Sequence, residues 1–445
     1  MTALRRLFAD NSVLVLGLVF VGLFVVTDVI NRVQEGQAFL TPKQVSTTFL
    51  YAAVLGLIAA GQTLVMLTGG VDLSVATTAT AGAFMVSRLG THGSAAAIVG
   101  ALLVGLAIGV VNGIGVAVFR VNALIMTLGV SAITLGLLTV QAQRQFTSLV
   151  PSFVATLGSK RFLTYVPYDL LVWAPIAALI ILGLLSAGQT LVMLTGGIDL
   201  SVATTATAGA FMVSRFGSHG ATASIVAAVV VGLAIGVANG IGIAIFRVNS
   251  LIMTLGISTI TLGVLTVEAQ QQFTSLVPSV VATLGSGRFL HYVPYDLLVW
   301  GPIAAAIVLG LRYSGIGRMI YGVGDNPLAM RLAGVRVWQV QLLVYALCGA
   351  LSAVAGILLV GFNNAADLGI GTPFLLPSVA AVVIGGTSIF GGLGGYSGTI
   401  VGALILTVLD SLLTILNASQ AVRQILYGAI VLALASLYAR TAARD

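Results

Sequence analysis

Hydrophobic runs of about 20 residues recur from end to end of this 445-residue chain. A helix of that length crosses about 30 Å of hydrocarbon, and only helices and closed barrels satisfy every backbone N–H and C=O inside a bilayer. The pattern predicts an all-α, polytopic bundle of transmembrane helices. Taken in order, the runs place spans at about 13–30, 46–68, 73–88, 95–119, 122–141, 170–197, 200–215, 222–246, 249–268, 297–311, 339–361, 375–389, 397–415 and 424–439, about fourteen in all. Polar stretches at Arg32–Lys43, Arg144–Asp169, Gln271–Asp296 and Arg312–Trp338 separate them.

The last of these stretches is the most specific. It sets Arg312, Arg318, Asp325, Arg331 and Arg336 between two long apolar runs, so it belongs in water at a membrane face. Its centre, Asp325 to Gly334, reads as a short helix with both ends specified: Asn326 or Asp325 as N-cap, Pro327 at the first helical position, and Gly334 as a left-handed stop. Two turns are too short to be stable alone. A capped surface helix between spans is therefore a docking handle, and it organises the reading of the chain.

The chain also repeats itself at a spacing of 127 residues. Ala60-Gly61-Gln62-Thr63 recurs as Ala187-Gly188-Gln189-Thr190, Asp72 as Asp199, Asn112-Gly113 as Asn239-Gly240, Phe119-Arg120 as Phe246-Arg247, and Trp173 as Trp300. Most differences, such as Val71/Ile198 and Leu137/Val264, keep an apolar span apolar. Removing one block leaves 318 residues. The segment Leu170–Gly197 is a hybrid whose first half copies Leu297–Leu311 and whose second half copies Ala60–Gly70. The division that follows is N-terminal spans at 1–59, a first copy at 60–186, a second at 187–311, the polar stretch at 312–338 and C-terminal spans at 339–445. Because the second block runs directly into the polar stretch, it is expected to form the working core, with the first copy peripheral.

Candidate chemistry is sparse. The element Thr68-Gly69-Gly70-Val71-Asp72-Leu73-Ser74, repeated as Thr195-Gly196-Gly197-Ile198-Asp199-Leu200-Ser201, breaks a span with paired glycines. Freed backbone groups must then be satisfied by neighbours or line a watery cavity. Asp72 and Asp199 read either as caps for the helix that follows or as parts of a gate. Asp410, inside an apolar run, is a further pathway candidate, since an ionisable group in a span is functional by default. Gly105-Gly109-Gly113 and Gly232-Gly236-Gly240 are small-residue rows for close helix packing. The glycine-rich Phe390–Gly395 reads as a tight turn.

These motifs carry a family resemblance. The run Gly324–Val335 with Leu342–Gly349 resembles the cytoplasmic coupling loop and following helix of permease subunits of bacterial ABC sugar importers, the ribose/xylose-type inner-membrane translocators. Thr195–Ser201, the segment from Asn239-Gly240 through Phe246-Arg247-Val248 to Met253–Gly256, and Ala381–Gly392 agree with it in the same order. The resemblance implies a permease of about ten spans, here extended by a duplicated four-span block. It implies a separate ABC ATPase subunit docking at Gly324, Asp325, Asn326, Ala329, Arg331 and Gly334, an extracytoplasmic solute-binding protein, and a permease dimer, with both termini in the cytoplasm. The candidate gate and pathway residues are Thr195, Gly196, Gly197 and Asp199, their first-copy counterparts Thr68, Gly69, Gly70 and Asp72, and Asp410. The chain departs from the acidic sequence of ribose-type members at Phe374-Leu375-Leu376-Pro377.

Composition narrows the alternatives. Hydrophobic residues make up 58% of the chain and charged residues 7%, which leaves no separate soluble domain. Its net charge of +7 is spread over many loops and suits lipid headgroups, not nucleic acid. Neither lysine, Lys43 nor Lys160, stands in a phosphate-binding loop, so no nucleotide is hydrolysed on this polypeptide. His92, His219 and His291 have no partners at metal-ligand spacing, and the reading includes no cofactor and no metal. Two rival functions remain. An ion-coupled secondary carrier with an internal repeat needs more membrane-embedded acids and bases, and a membrane enzyme needs a cluster of catalytic side chains.

Overall fold

The computed structural model describes residues 58–89, 94–146, 168–270, 276–289, 293–415 and 421–430, with a few residues outside these stretches. Most of the first span, the start of the second, most of Arg144–Asp169, and the terminal arginines Arg5, Arg6, Arg440 and Arg444 lie outside the described residues. The chain divides into two compact units, Met1–Val75 and Ala76–Asp445. In the first, an apolar helix over Ile58–Leu67 leads into the Thr68–Ser74 turn.

In the second unit, the first copy supplies α1 (Val75–Leu89), α2 (Ser94–Ala117) and α3 (Ala123–Phe146). The hybrid forms α4 (Tyr168–Leu194), and the second copy adds α5 (Val202–Arg215), α6 (Ala221–Ala244) and α7 (Ser250–Gln270). Then come α8 (Ser279–Ser286), α9 (Tyr295–Tyr313), α10 (Gly315–Asp325) and α11 (Pro327–Leu332). The last labelled helices are α12 (Val337–Asn363), α13 (Leu375–Ile384) and α14 (Tyr396–Ile415), with a further helix over 421–430. Seven of these, α2, α3, α4, α6, α7, α9 and α12, are long and apolar enough to cross a membrane. The protein is a helical, polytopic membrane protein, and its only strands among the described residues are a two-residue antiparallel pair, Arg288–Phe289 with Val293–Pro294.

Three of the spans read from the sequence are short helices. α1, α5 and α13 have 15, 14 and 10 residues, so even the longest extends about 22 Å, less than the hydrocarbon thickness. Glycine pairs set their limits: α5 starts beyond Gly196-Gly197, and α13 stops at Gly385-Gly386. The amphipathic α10 stands where the sequence reads as polar connector. Its four glycines lower helix propensity, but Ser314 caps it by accepting from the Gly317 amide at 3.0 Å, and Ile320 and Val323 are buried.

α12 is the centre of the bundle, with α4, α5, α6 and α8 packed around it. Its small residues Gly349, Ala353 and Gly356 let other backbones approach, and α6 answers with its own small-residue row. A methyl group at Gly232, Gly236 or Gly240 would collide with α12 backbone near Gly349, Tyr345 and Leu342 respectively. In the first copy the same row is open: nothing lies within 4 Å of such a methyl at Gly109 or Gly113. The reason is stoichiometric, because two near-identical rows compete for a single α12 and the second copy occupies it. The opposite division holds at the C-terminal helix. Gly129 and Gly136 on α3 meet Gly428 and Ile425, while their equivalents Gly256 and Gly263 on α7 meet nothing within 4 Å.

Candidate functional site

The short polar helix forms as its sequence dictates. Asn326 Oδ1 accepts from the Ala329 amide at 2.9 Å, Pro327 takes the first turn, and Gly334 adopts φ +85°. The amides of Gly334 and Val335 donate to the carbonyls of Arg331 and Met330 at 3.0 and 2.9 Å, the paired closure of a glycine-stopped helix. No residue of α11 is buried, and Leu328 and Leu332 expose an apolar edge.

At the N-terminal side of α11 three chain segments meet backbone to backbone. Gly324 lies against the Leu194 carbonyl at the end of α4, and a side chain there would overlap that oxygen and sit 2.6 Å from the Gly392 amide. The Gly392 amide donates to the same Leu194 carbonyl at 3.0 Å. A Cβ at Gly391 would come within 2.8 Å of the Gly324 carbonyl and 3.0 Å of the Gly196 amide. Tyr321 Oη donates to the Gly394 carbonyl at 2.8 Å, and partial burial pushes its phenol above the usual range, so it stays a donor at neutral pH. Thus the Phe390–Gly395 turn, which reads in the sequence only as a tight turn, joins the capped helix to the glycine break. Its signal was the run of glycines, because only glycine lets three backbones come this close.

The break itself is fastened to its neighbours. Thr195 Oγ1 donates to the Val192 carbonyl at 2.8 Å, Gly196 takes φ +78°, and Gly197 abuts the Tyr345 hydroxyl of α12. Asp199 is 1% exposed and accepts from the Ser201 amide at 2.8 Å and the Ser201 hydroxyl at 2.6 Å. Asn239 Nδ2 of α6 donates to Ser201 Oγ at 2.8 Å, and the Leu200 amide donates to Thr254 Oγ1 of α7 at 3.0 Å. The first copy repeats the local turn: Asp72 accepts from the Ser74 amide and hydroxyl at 2.7 and 2.6 Å, and Gly69 takes φ +80°. Thr68 and Gly69 are nevertheless exposed, and Gly70 and Asp72 half-buried.

Asp410 lies apart from this junction. It accepts from Arg423 Nη1 at 3.0 Å and from Tyr427 Oη at 2.8 Å, both on the helix that follows α14. Within the bundle, three polar groups that the sequence reading passed over are fully enclosed. Both amide atoms of Gln189 and the hydroxyls of Ser186 and Thr205 have no hydrogen-bond partner. Buried polar atoms without partners cost free energy, and Ser186 and Gln189 lie one turn apart on α4.

Sequence comparison agrees with this architecture. The family model described as "Branched-chain amino acid transport system / permease component" matches residues 44–170 and again 171–435. The chain is 36% identical over 256 residues to the ribose import permease protein RbsC of Escherichia coli (strain K12), covering 56% of this chain and 79% of that one. It is 34% identical over 256 residues to RbsC of Bacillus subtilis (strain 168), with the same coverage. Against the L-arabinose ABC transporter permease protein AraH of Azospirillum brasilense, identity is 29% over 256 residues, 57% of this chain and 75% of that one. No solved structure matches the chain. With two successive matches that together cover most of its length, the chain belongs to this family of ABC-importer permease components, as a non-enzymatic, multi-pass membrane subunit carrying a tandem duplication.

Proposed function

We propose that the chain is the membrane-spanning subunit of an ATP-driven importer that carries a monosaccharide or similar small polar solute into the cytoplasm. A separate ABC ATPase docks on α11 and the residues before it, Gly324, Asp325, Asn326, Ala329, Arg331 and Gly334. The observation that carries this reading is the contact of Gly324 with the Leu194 carbonyl and the Gly392 amide. Through it, a push on the capped helix reaches the end of α4 and the Thr195–Asp199 break without an intervening flexible side chain. Backbone contacts of this kind move as a rigid body, which is what a lever between two sites needs. The working gate is the second-copy set Thr195, Gly196, Gly197 and Asp199. Thr68, Gly69, Gly70 and Asp72 repeat its local turn, and Asp410 holds two helices together through Arg423.

The solute class is supported by the relatives, which are ribose and L-arabinose permeases, and by Gln189, Ser186 and Thr205, whose uncharged donors and acceptors match hydroxyl groups. The complex contains two permease subunits and takes solute from an external binding protein, with both termini of the chain in the cytoplasm of a bacterial inner membrane.

Uptake of labelled ribose and arabinose by cells carrying the complete system separates this mechanism from an ion-coupled carrier. Import stops when ATP is depleted and continues in the presence of an uncoupler. Uptake that collapses with the uncoupler while ATP remains high excludes the proposal.

A further inference from the structure

A cavity of about 640 Å³ opens beside α11, between the end of α6 and the start of α12. Arg247 lines it from the α6 end, Arg331 from α11, and Arg336 and Trp338 from the α12 start, with Ile245 and Val335 among its apolar walls. Among the described residues none of the three arginines is paired with a carboxylate. Three guanidinium groups from three elements line one cavity, a concentration of positive charge that an anion entering it would neutralise.

One further observation selects the anion: the cavity is level with a membrane edge. The adjoining end of the α6 span exposes Ile245 at 53% and Phe246 at 73%, and Trp338 is an aromatic ring where a span begins, the position such rings take at headgroup level. Leu328 and Leu332, the exposed apolar edge of α11, do not line the cavity. Cationic and apolar side chains thus line one cavity beside the exposed apolar end of a span.

We propose that this cavity binds the phosphate headgroup of an anionic phospholipid in the leaflet on the α11 side. Arg247 and Arg336 hold the phosphate while the glycerol and upper acyl carbons lie along Ile245 and Val335. The lipid thereby ties the end of α6 to the base of α12, next to the capped helix. This rests on α6 and α12 being spans and not on the solute carried. The duplication supplies an internal control: Arg120, the first-copy counterpart of Arg247, has φ +54°, yet it lines no part of this cavity.

The test is a lipid titration of the purified full chain by native mass spectrometry, with phosphatidylglycerol, phosphatidylcholine and glycerol 3-phosphate as probes. Phosphatidylglycerol is retained in preference to phosphatidylcholine, and the preference falls as salt is raised. R247Q and R336Q each weaken retention about fivefold, and together about thirtyfold, whereas R120Q leaves it unchanged. Because the unmutated chain already gives the lipid preference and its salt dependence, misfolding of a variant does not remove the test. Equal retention of the two lipids, equal loss in R120Q and R247Q, or full displacement of phosphatidylglycerol by equimolar glycerol 3-phosphate each overturns the proposal. The last result assigns the cavity to a soluble phosphate ester.

Discussion

The Gly392 amide donates to the Leu194 carbonyl at 3.0 Å, although the two residues lie almost two hundred positions apart in the chain. Gly324 lies against the same carbonyl, so one oxygen at the end of α4 is the meeting point of the end of α10, which leads into the capped helix, the glycine break and the turn before α14. Substituting glycine here tests whether the close approach matters in itself.

Gly324→Ala places a methyl on the Leu194 oxygen, and because backbone is on both sides neither neighbour can rotate away. An overpacked contact of this kind costs about 1–3 kcal/mol. The expected outcome is a chain that inserts normally but whose uptake, and whose stimulation of the ATPase by solute, fall at least about tenfold. Gly69→Ala, in the first-copy turn, is the comparison. Its φ of +80° makes alanine costly by about 1 kcal/mol, but nothing lies within 4 Å of the new methyl. It should lower thermal stability slightly and leave coupling largely intact. Equal loss of uptake in both variants would mean that glycine serves only backbone conformation at these positions.

The two aspartates make the same local turn in different surroundings, which gives a second test. Removing the Asp199 side chain strands the buried amide and hydroxyl of Ser201 and frees the group that Asn239 reaches. Leaving buried donors unmade costs about 1–3 kcal/mol. Asp199→Ala should therefore lower the unfolding midpoint by several degrees, whereas Asp72→Ala, at a half-buried site, should change it by less than half as much. Thermal unfolding in one detergent for both variants checks this, and equal shifts would remove the distinction drawn between the copies.

Much of this was legible in the sequence, and the limits have physical causes. Asn326, Pro327 and Gly334 specify α11 because capping is local chemistry. The spans were readable from apolar run length, down to the short runs at about 73–88 and 200–215 that form α1 and α5, although α13 stops at Gly385-Gly386, before the end of its run, because an apolar run does not reveal where a turn takes over. The role of Phe390–Gly395 and the enclosure of Gln189 depend on which distant backbone arrives, and a single sequence holds no record of that. The repeat hides most: Gly109 and Gly236 sit in near-identical sequence, and only the packing against α12 tells them apart.

Gln189 separates a structural polar residue from one that serves a solute. Neither its amide nitrogen nor its oxygen has a partner, and the side chain is fully buried. Gln189→Met keeps the shape while removing both polar atoms, and exchanging an unsatisfied polar group for an apolar one of similar shape is neutral or stabilising. The unfolding midpoint should stay level or rise while uptake of a polyhydroxylated solute falls at least about tenfold. A variant that transports normally would assign the amide to water alone.

The last prediction concerns the choice between copies. The C-terminal helix has two near-identical acceptors, α3 and α7, and it lies on α3, where a Cβ at Gly428 would be 3.3 Å from Ala132 Cβ and 2.7 Å from the Gly129 carbonyl, so a cysteine there needs the two helices to part by a few tenths of an ångström. The Cβ–Cβ spacing is near that of a disulfide. In the full chain the pair Ala132→Cys with Gly428→Cys should form a disulfide on mild oxidation. The pair Thr259→Cys with Gly428→Cys, which uses the α7 equivalent, should not. Native Cys348 is buried in α12 and does not interfere. Deleting residues 61–187 removes α3 and leaves α7 as the remaining acceptor, with the open face at Gly256 and Gly263 ready to receive Gly428 and Ile425. In that shortened chain the Thr259 and Gly428 pair should now cross-link, and the unmutated deletion should retain uptake because α5–α7 still surround α12 and the run ending at Ala60 is joined to Gly188–Leu194 in place of the hybrid's first half. Absence of the new cross-link in a deletion that inserts and transports would show that the two acceptors are not equivalent. Loss of uptake in a deletion that inserts normally would show that the first copy does more than occupy the C-terminal helix.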